Sequence, residues 1–357
     1  MPKGKVRVAV GGVGNCASAL IQGIHYYSQA KPEDVIGLVA YELGGITPDD
    51  IEFVAAFDVD KEKVGKDLSK AIFSGLNNTP TIHSVPTLGV RVQKGHVLDG
   101  LGKYLSKVVK VAPGPEADVS SVLKESGADI LINYLPVGST EAVHFYANEA
   151  MKAGVALINA MPVFVASNPT WSARFQEKGL PVAGDDVMSQ LGATVLHKSM
   201  VRLMYERGVR VDETYQLNIG GDADFLNMLE ESRLVDKRES KTSAVRAMTP
   251  YLVPTRIGPS DYVEFLKNDK ICYIWLKGRY FGNTPVTIEA KLHVIDAPDS
   301  GGVMIDAIRG TKIALDRGIS GPLTSLSAYC FKHPPIQMPY EDAKRLFLEF
   351  VEGKRDR

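Results

Sequence analysis

Val6-Arg7-Val8-Ala9-Val10-Gly11-Gly12-Val13-Gly14-Asn15-Cys16-Ala17 is the stretch that decides the fold of this chain. Val6 to Val10 is a short apolar run, the glycines interrupt it, and a helical pattern follows from Cys16 to about Tyr27. Gly12, Val13, Gly14, Asn15, Cys16 and Ala17 fit G-x-G-x-x-[GA] in a strand–turn–helix setting. The first glycine permits a tight turn, the second lets the backbone approach a pyrophosphate, and the small last residue lets helix and strand pack closely. Free N–H groups at the helix start would receive the phosphates. The pattern alone is weak, but this context near the N-terminus favours dinucleotide binding over a merely structural turn.

Working outward, apolar strands alternate with helical patterns. Ile51–Phe57, Asp129–Leu135, Val155–Asn159 and Pro181–Ala183 read as buried strands. Helices are expected through Val64, Leu68 and Ile72, over Thr140–Ala153, and around Trp171–Lys178, with residues 74–95 as loop. Continuous apolar strands with intervening helices predict a parallel sheet covered on both faces. Asp58, at the end of the second strand, is the acidic residue expected on the adenosine ribose, which would favour NAD over NADP. It lies beyond the usual spacing because residues 31–50 read as an inserted loop; capping of the following helix is a comparable and compatible role.

The rhythm changes after about Gly192. A long helix, Ala193–Arg207, precedes strands at Val211–Ile219, Ile271–Tyr280 and Pro285–Ile295, the last two joined by a hairpin-like link at Phe281–Thr284. This predicts an α+β unit on an open mixed or antiparallel sheet with one face buried. Helical patterns return at Val303–Arg317 and Tyr340–Phe350 and should pack back on the first unit.

A chain of 357 residues, 45% of them hydrophobic, can build two domains or one with a large insertion. Lysine plus arginine (41) nearly balance aspartate plus glutamate (42), arguing against nucleic-acid or membrane-surface binding through bulk charge. Cys16, Cys272 and Cys330 form neither a disulfide framework nor a metal-binding spacing, which suits a reducing compartment. No apolar run reaches the roughly 18 residues of a membrane span, and no signal-peptide pattern opens the chain. A cytoplasmic protein without nucleic-acid or membrane partners is expected.

Beyond Gly220-Gly221, Asp222 and Asp224 enter a loop, and Lys237 and Lys241 follow four residues apart, on one face of a helix. A solvated lysine pair is the ordinary interpretation; downstream of a glycine break and two carboxylates, an anion grip becomes a competitor. Asp185-Asp186 ends a strand, where open α/β sheets place ligands, although a helix N-cap would be the simpler role. None of the seven histidines has a ligand spacing.

Taken together, the chain resembles the myo-inositol-1-phosphate synthase family. The matching pieces are GGVGNCASAL, NYLPVGSTEA (133–142), GDDVMSQLGAT (184–194), NIGGDADFLNM (218–228), RLVDKRESKT (233–242), NDK (268–270), HVIDAPDSGGVMIDAIR (293–309) and SAYCFKHPP (327–335). They cover nearly the whole chain in order and are similar to the shorter archaeal and bacterial branch. The resemblance implies an NAD-dependent isomerase making inositol 1-phosphate from glucose 6-phosphate through C5 oxidation, enolisation, intramolecular aldol closure and re-reduction, without net redox change.

It also implies site residues. The family lysines fall at Lys237, Lys241, Lys270 and Lys332, the acidic positions at Asp186, Asp224 and Asp296, and the polar ones at Ser189 and Asn218. Cofactor contacts are expected from Gly12, Val13, Gly14, Asn15, Cys16, Asp58, Ser139, Thr140 and Asp186. Lys237 and Lys332 are expected to move protons around C5, and Lys241 and Lys270 to hold oxyanion and phosphate charge. Crowding should lower some of their pKa values. Asp222 stands where the eukaryotic pattern has asparagine, and archaeal members need a divalent cation. Magnesium therefore joins NAD as an expected cofactor, although no spacing identifies its ligands. NAMPVFVAS (159–167) departs from eukaryotic members and leaves cofactor contacts there open.

The fold class implied is α/β: a Rossmann-like doubly wound parallel sheet with an inserted α+β catalytic and oligomerisation domain. Residues 1–193 plus 301–357 would bind NAD, and 194–300 would carry catalysis and a homotetramer interface. The nearest rival is an enzyme of the same fold acting on a different sugar phosphate; a net dehydrogenase and a non-catalytic NAD sensor follow.

Overall fold

The computed structural model describes residues 4–357, so residues 1–3 of the expected first domain lie outside the described residues. Its strands are β1 (Val6–Gly11), β2 (Ile51–Asp58), β3 (Val92–Lys94), β4 (Ile130–Asn133), β5 (Ala156–Asn159), β6 (Pro181–Gly184), β7 (Arg210–Gly220), β8 (Thr255–Tyr262), β9 (Asp269–Arg279), β10 (Pro285–Ile295) and β11 (Gly321–Pro322).

Seven of them form a parallel sheet in the order β11-β6-β5-β4-β1-β2-β3. The expected Rossmann-like fold is therefore present. β4, β5 and β6 are buried throughout, which is why they read as unbroken apolar runs. Alternate residues feed two cores. Val8, Val10, Ile130 and Ile132 pack with helices Asn15–Tyr27, Asp296–Asp316 and Tyr340–Val351; Ala9, Leu131 and Leu157 pack with Val119–Glu125, Thr140–Ala153 and Pro169–Glu177. Strand order reverses between β1 and β4, and that crevice is where ligands bind in such sheets.

Several elements differ from the sequence-based expectation. The helix through Val64, Leu68 and Ile72 shortens to Leu68–Ala71, because Gly65 adopts φ +88° and Asp67 caps the turn through Ser69 N–H. Part of the expected loop at residues 74–95 forms β3, a three-residue edge strand. The helix expected from Val303 starts seven residues earlier, at Asp296, and so spans the expected boundary at residues 300–301. Gly302 lies inside it because a side chain there would collide with the Gly37 carbonyl of the 31–50 insertion. Arg309 of the same helix, fully buried, donates to the carbonyls of Ala40, Tyr41 and Ile46 and pairs with Asp306, pinning that insertion.

β10-β9-β7-β8 form the second sheet, with β7 parallel to β8 and antiparallel to β9. β9 and β10 are the expected hairpin, turning at Phe281–Asn283. β8 carries no clear strand signature in the sequence because it contains Pro259, tolerable on an edge strand that pairs on one side only. The apolar-inside expectation reverses at β7. Its buried face carries Thr214, Gln216 and Asn218, while Tyr215 and Leu217 are exposed beside Tyr273 and Trp275 of β9. His197 satisfies the inner face, reaching Thr214 Oγ1 at 2.7 Å and Gln216 Oε1 at 3.2 Å. Burial lowers its imidazole pKa to about 4, so it stays neutral.

Candidate active site

At the C-terminal end of β1, Gly12 takes φ +93°, and a Cβ there would lie 2.5 Å from the Tyr134 carbonyl oxygen. Gly14 begins helix Asn15–Tyr27 with no side-chain cap, and open space lies where its Cβ would be. The first N–H groups of the helix therefore face a cleft lined by Gly12, Val13, Asn15, Asp58, Tyr146 and Leu101. Asp58 caps no helix: its carboxylate accepts from the N–H groups of Val13 (2.8 Å), Val59 (2.7 Å) and Asp60 (2.9 Å). It joins the glycine turn to the end of β2 at the cleft wall.

A second pocket continues from this cleft past Gly14, Asn15, Tyr134 and Pro136. β7 ends at Gly220, and Asp222 caps helix Ala223–Asn227 by accepting from Phe225 N–H at 3.0 Å. Helix Val235–Arg246 then brings in Lys237 and Lys241, both buried. β9 supplies Lys270, the start of helix Asp296–Asp316 supplies Asp296, and the segment after helix Thr324–Cys330 supplies Lys332. All four lysines line the pocket with Asp186, Asp224, Asp296, Ser189 and Cys16.

Asp186 is the hub. Its Oδ1 accepts from Lys332 Nζ at 3.0 Å and Lys237 Nζ at 3.4 Å, and its Oδ2 from Ser240 Oγ at 2.6 Å. Burial opposes its charge, but Lys237 and Lys332 prevail and hold the carboxyl well below the usual range. Lys270 Nζ donates to Asp296 Oδ1 at 2.8 Å. Against the cost of burial, Asp186, Asp224 and Asp296 keep Lys237 charged, and Asp296 does the same for Lys270.

The other two lysines are shifted the opposite way. Burial lowers Lys332, with repulsion from Lys237 and Lys270 acting against the pull of Asp186. Lys241 falls furthest, through burial and the neighbouring Lys270, Lys237 and Lys332. It is 3% exposed. Burial, with Asp224 and Asp296 nearby, pushes Asp222 up to about 7. The Cys16 thiol is pushed up to about 12, chiefly by burial, and so stays protonated.

Several expected residues sit elsewhere. Asn218 is buried in β7, donating to Gly258 O at 2.8 Å and accepting from Gln216, and does not line the pocket. Ser139 Oγ donates to Pro136 O at 2.6 Å and accepts from Arg233, while Thr140 is exposed; neither lines the cleft. Asp185 is not a helix cap. Its buried carboxylate gathers Val165, Ala166 and Ser167 N–H with Asn159 Nδ2, ordering the loop at residues 163–167. Sequence reasoning missed Ser240, although its spacing from Lys237 (i+3) marks the same helix face. It also missed Tyr134, whose buried hydroxyl has no hydrogen-bond partner among the described residues and which borders both pockets.

Residues 192–297 match the family described as myo-inositol-1-phosphate synthase. The chain is 49% identical to the inositol-3-phosphate synthase of Mycolicibacterium smegmatis, covering 98% of this chain and 99% of that protein. It is 47% identical to the inositol-3-phosphate synthase of Corynebacterium glutamicum, with 98% and 99% covered. Among solved structures, Ari2 aligns with a TM-score of 0.78 at 32% identity over 98% of this chain and 99% of that one. A myo-inositol-1-phosphate synthase-related protein from Thermotoga maritima aligns with a TM-score of 0.79 at 25% identity over 98% of both chains. Identity at this level over nearly the full length, in bacterial relatives of the same size, makes the chain a member of the myo-inositol-1-phosphate synthase family.

Proposed function

We infer that this chain converts D-glucose 6-phosphate to 1D-myo-inositol 3-phosphate in a redox-neutral, NAD-dependent isomerisation. The observation that carries this reading is the convergence of four lysines and four aspartates on a pocket continuous with the glycine-turn cleft. That cleft suits a dinucleotide: the Gly12 turn, the uncapped helix start and the Asp58 carboxylate are the parts such a ligand uses. Held by the Gly12 turn, the helix start and Asp58, NAD would supply reversible hydride acceptance for oxidation and re-reduction at C5 of the sugar. Replacing Gly12 by alanine should weaken NAD binding about tenfold or more, because the positive φ and the Tyr134 carbonyl both oppose a Cβ. Titration calorimetry with NAD checks this.

The chain's own groups divide by charge. Lys241 and Lys332, whose ammonium forms are disfavoured, suit proton transfer at the C5 hydroxyl and at C6. Lys237 and Lys270 stay protonated and suit stabilisation of negative charge on the enolate and C1 oxygens and on the phosphate. This exchanges the roles that the sequence suggested for Lys237 and Lys241. Asp186 and Asp296 orient those cations. A divalent cation fits less well: Asp222 is engaged as a helix cap and Asp296 with Lys270.

The exposed Tyr215, Leu217 and Tyr273 support burial of the second sheet's outer face in a homotetramer. The three free cysteines accord with a cytoplasmic enzyme. NMR of the protein with glucose 6-phosphate and NAD+, with and without magnesium, tests the activity. An inositol phosphate should form without accumulating NADH. Unchanged sugar with NAD bound would defeat the substrate assignment, and stoichiometric NADH would identify a net dehydrogenase.

A further inference from the structure

The segment Asn77-Asn78-Thr79 has no counterpart among the groups assigned above, yet it touches both halves of the site. Asn15, the first residue of the glycine-turn helix, accepts through Oδ1 from Asn78 N–H (2.8 Å), Thr79 N–H (3.1 Å) and Thr79 Oγ1 (3.0 Å). Its own Nδ2 donates to Asn78 Oδ1 at 3.0 Å. Asn77 Nδ2 donates to the Val13 carbonyl at 3.0 Å. The segment is thereby fixed to the turn that forms the cofactor cleft.

On its other side, Asn78 Oδ1 also accepts from Asn268 Nδ2 at 3.1 Å. Asn268 is 3% exposed and precedes Lys270 by two residues. Its main-chain oxygen accepts from Asp296 N–H at 2.8 Å, and its Oδ1 from Ala297 N–H at 3.0 Å. One side-chain carbonyl thus joins the start of the cofactor helix to a residue that binds the Asp296 and Ala297 amides and stands two before Lys270 on the same chain segment.

We propose that Asn78 is a positioning residue of the reaction, fixing the Lys270–Asp296 pair relative to the glycine-turn cleft through its bridge between Asn15 and Asn268. The inference rests on the function assigned above. Hydride transfer at C5 and charge stabilisation on the same sugar demand that the two sub-sites keep one separation, and a displacement of about 1 Å can cost about 100-fold in rate. The bridge uses only the acceptor oxygen: Asn78 Nδ2 has no partner among the described residues. Aspartate should therefore replace Asn78 and alanine should not.

The test measures kcat, the Kd for NAD and amide hydrogen exchange in Asn78→Ala and Asn78→Asp. Asn78→Ala should lower kcat about 10–100-fold while changing the Kd for NAD less than about threefold. Exchange at the Asp296 and Ala297 amides, in the protein without substrate, should accelerate about tenfold. Asn78→Asp should restore both quantities to near the parent values. Unchanged kcat in Asn78→Ala, equal losses in both variants, or a loss confined to NAD affinity would overturn the proposal. A parent protein that makes no inositol phosphate would refute the assigned function instead. The exchange measurement still decides the bridge in that case, since unaltered exchange at Asp296 and Ala297 in Asn78→Ala removes its basis.

Discussion

Lys241→Met should lose about 10²–10⁴-fold in kcat, the range for removing a positioned proton-transfer group, yet fold at least as stably as the parent. Both halves follow from its surroundings. Lys241 is buried among Lys237, Lys270 and Lys332, and no hydrogen bond or ion pair engages its Nζ among the described residues. A structural lysine would be paired; this one is held where losing its proton is easy. In the parent, kcat/KM should rise with pH along a one-proton limb centred below the ordinary lysine range. Stability carries the same sign. Because the folded-state pKa is depressed, burying the charged form costs stability below that pKa, and the cost is relieved as pH rises through it toward the unfolded value. Lys241→Met should therefore show its largest gain in thermal midpoint on the acid side of that limb. Calorimetry across pH, beside single-turnover kinetics, checks both halves. A variant that unfolds, or one that keeps full turnover, contradicts this account.

Asp186→Ala should be the most damaging change for the fold of the site. The residue is 1% exposed and accepts from two lysines and Ser240. Removing one partner of a buried ion pair costs about 3–5 kcal/mol, because the stranded charge has no solvent to return to. Activity should fall as well, since Lys237 loses the carboxylate that sustains its ammonium group and Lys332 the acceptor that positions it. The pH signature runs opposite to that of Lys241. Asp186 titrates below its unfolded value, so its contribution is present above about pH 3.9 and is lost as pH falls through the lower folded pKa. In urea unfolding, parent and variant should differ fully at neutral pH and converge only in strong acid. Equal stability at neutral pH would contradict the hub role. Asp186→Asn should lie between the two, keeping an acceptor for Ser240 without the charge.

The parallel sheet was legible because its strands are buried on both faces, so apolar runs and the glycine turn could be read without knowing the neighbours. The lysine pair at residues 237 and 241 was legible for a related reason: helical spacing places such residues on one face whatever they pack against. Short edge strands were not, since β3 and the proline-bearing β8 gain their order from a single neighbour. Nor was the orientation of β7. Periodicity separates its two faces but cannot say which turns inward, and His197 makes the polar face the buried one. Asp185 and Asp186 show the same limit at the site. Adjacent carboxylates with one local pattern acquire different tasks because strand and loop partners far along the chain select between them. The shifts of Lys241 and Lys332 likewise depend on distances that only the assembled pocket sets.

Helix Asp296–Asp316 runs unbroken for 21 residues, close to 30 Å at about 1.5 Å per residue. It begins at a pocket carboxylate, runs its buried middle through the sheet-covering core and ends at exposed Asp316. A rod embedded in this way offers no hinge between Asp296 and the nucleotide platform. The carboxylate, and the Lys270 ammonium that donates to it, therefore keep one distance from the parallel sheet.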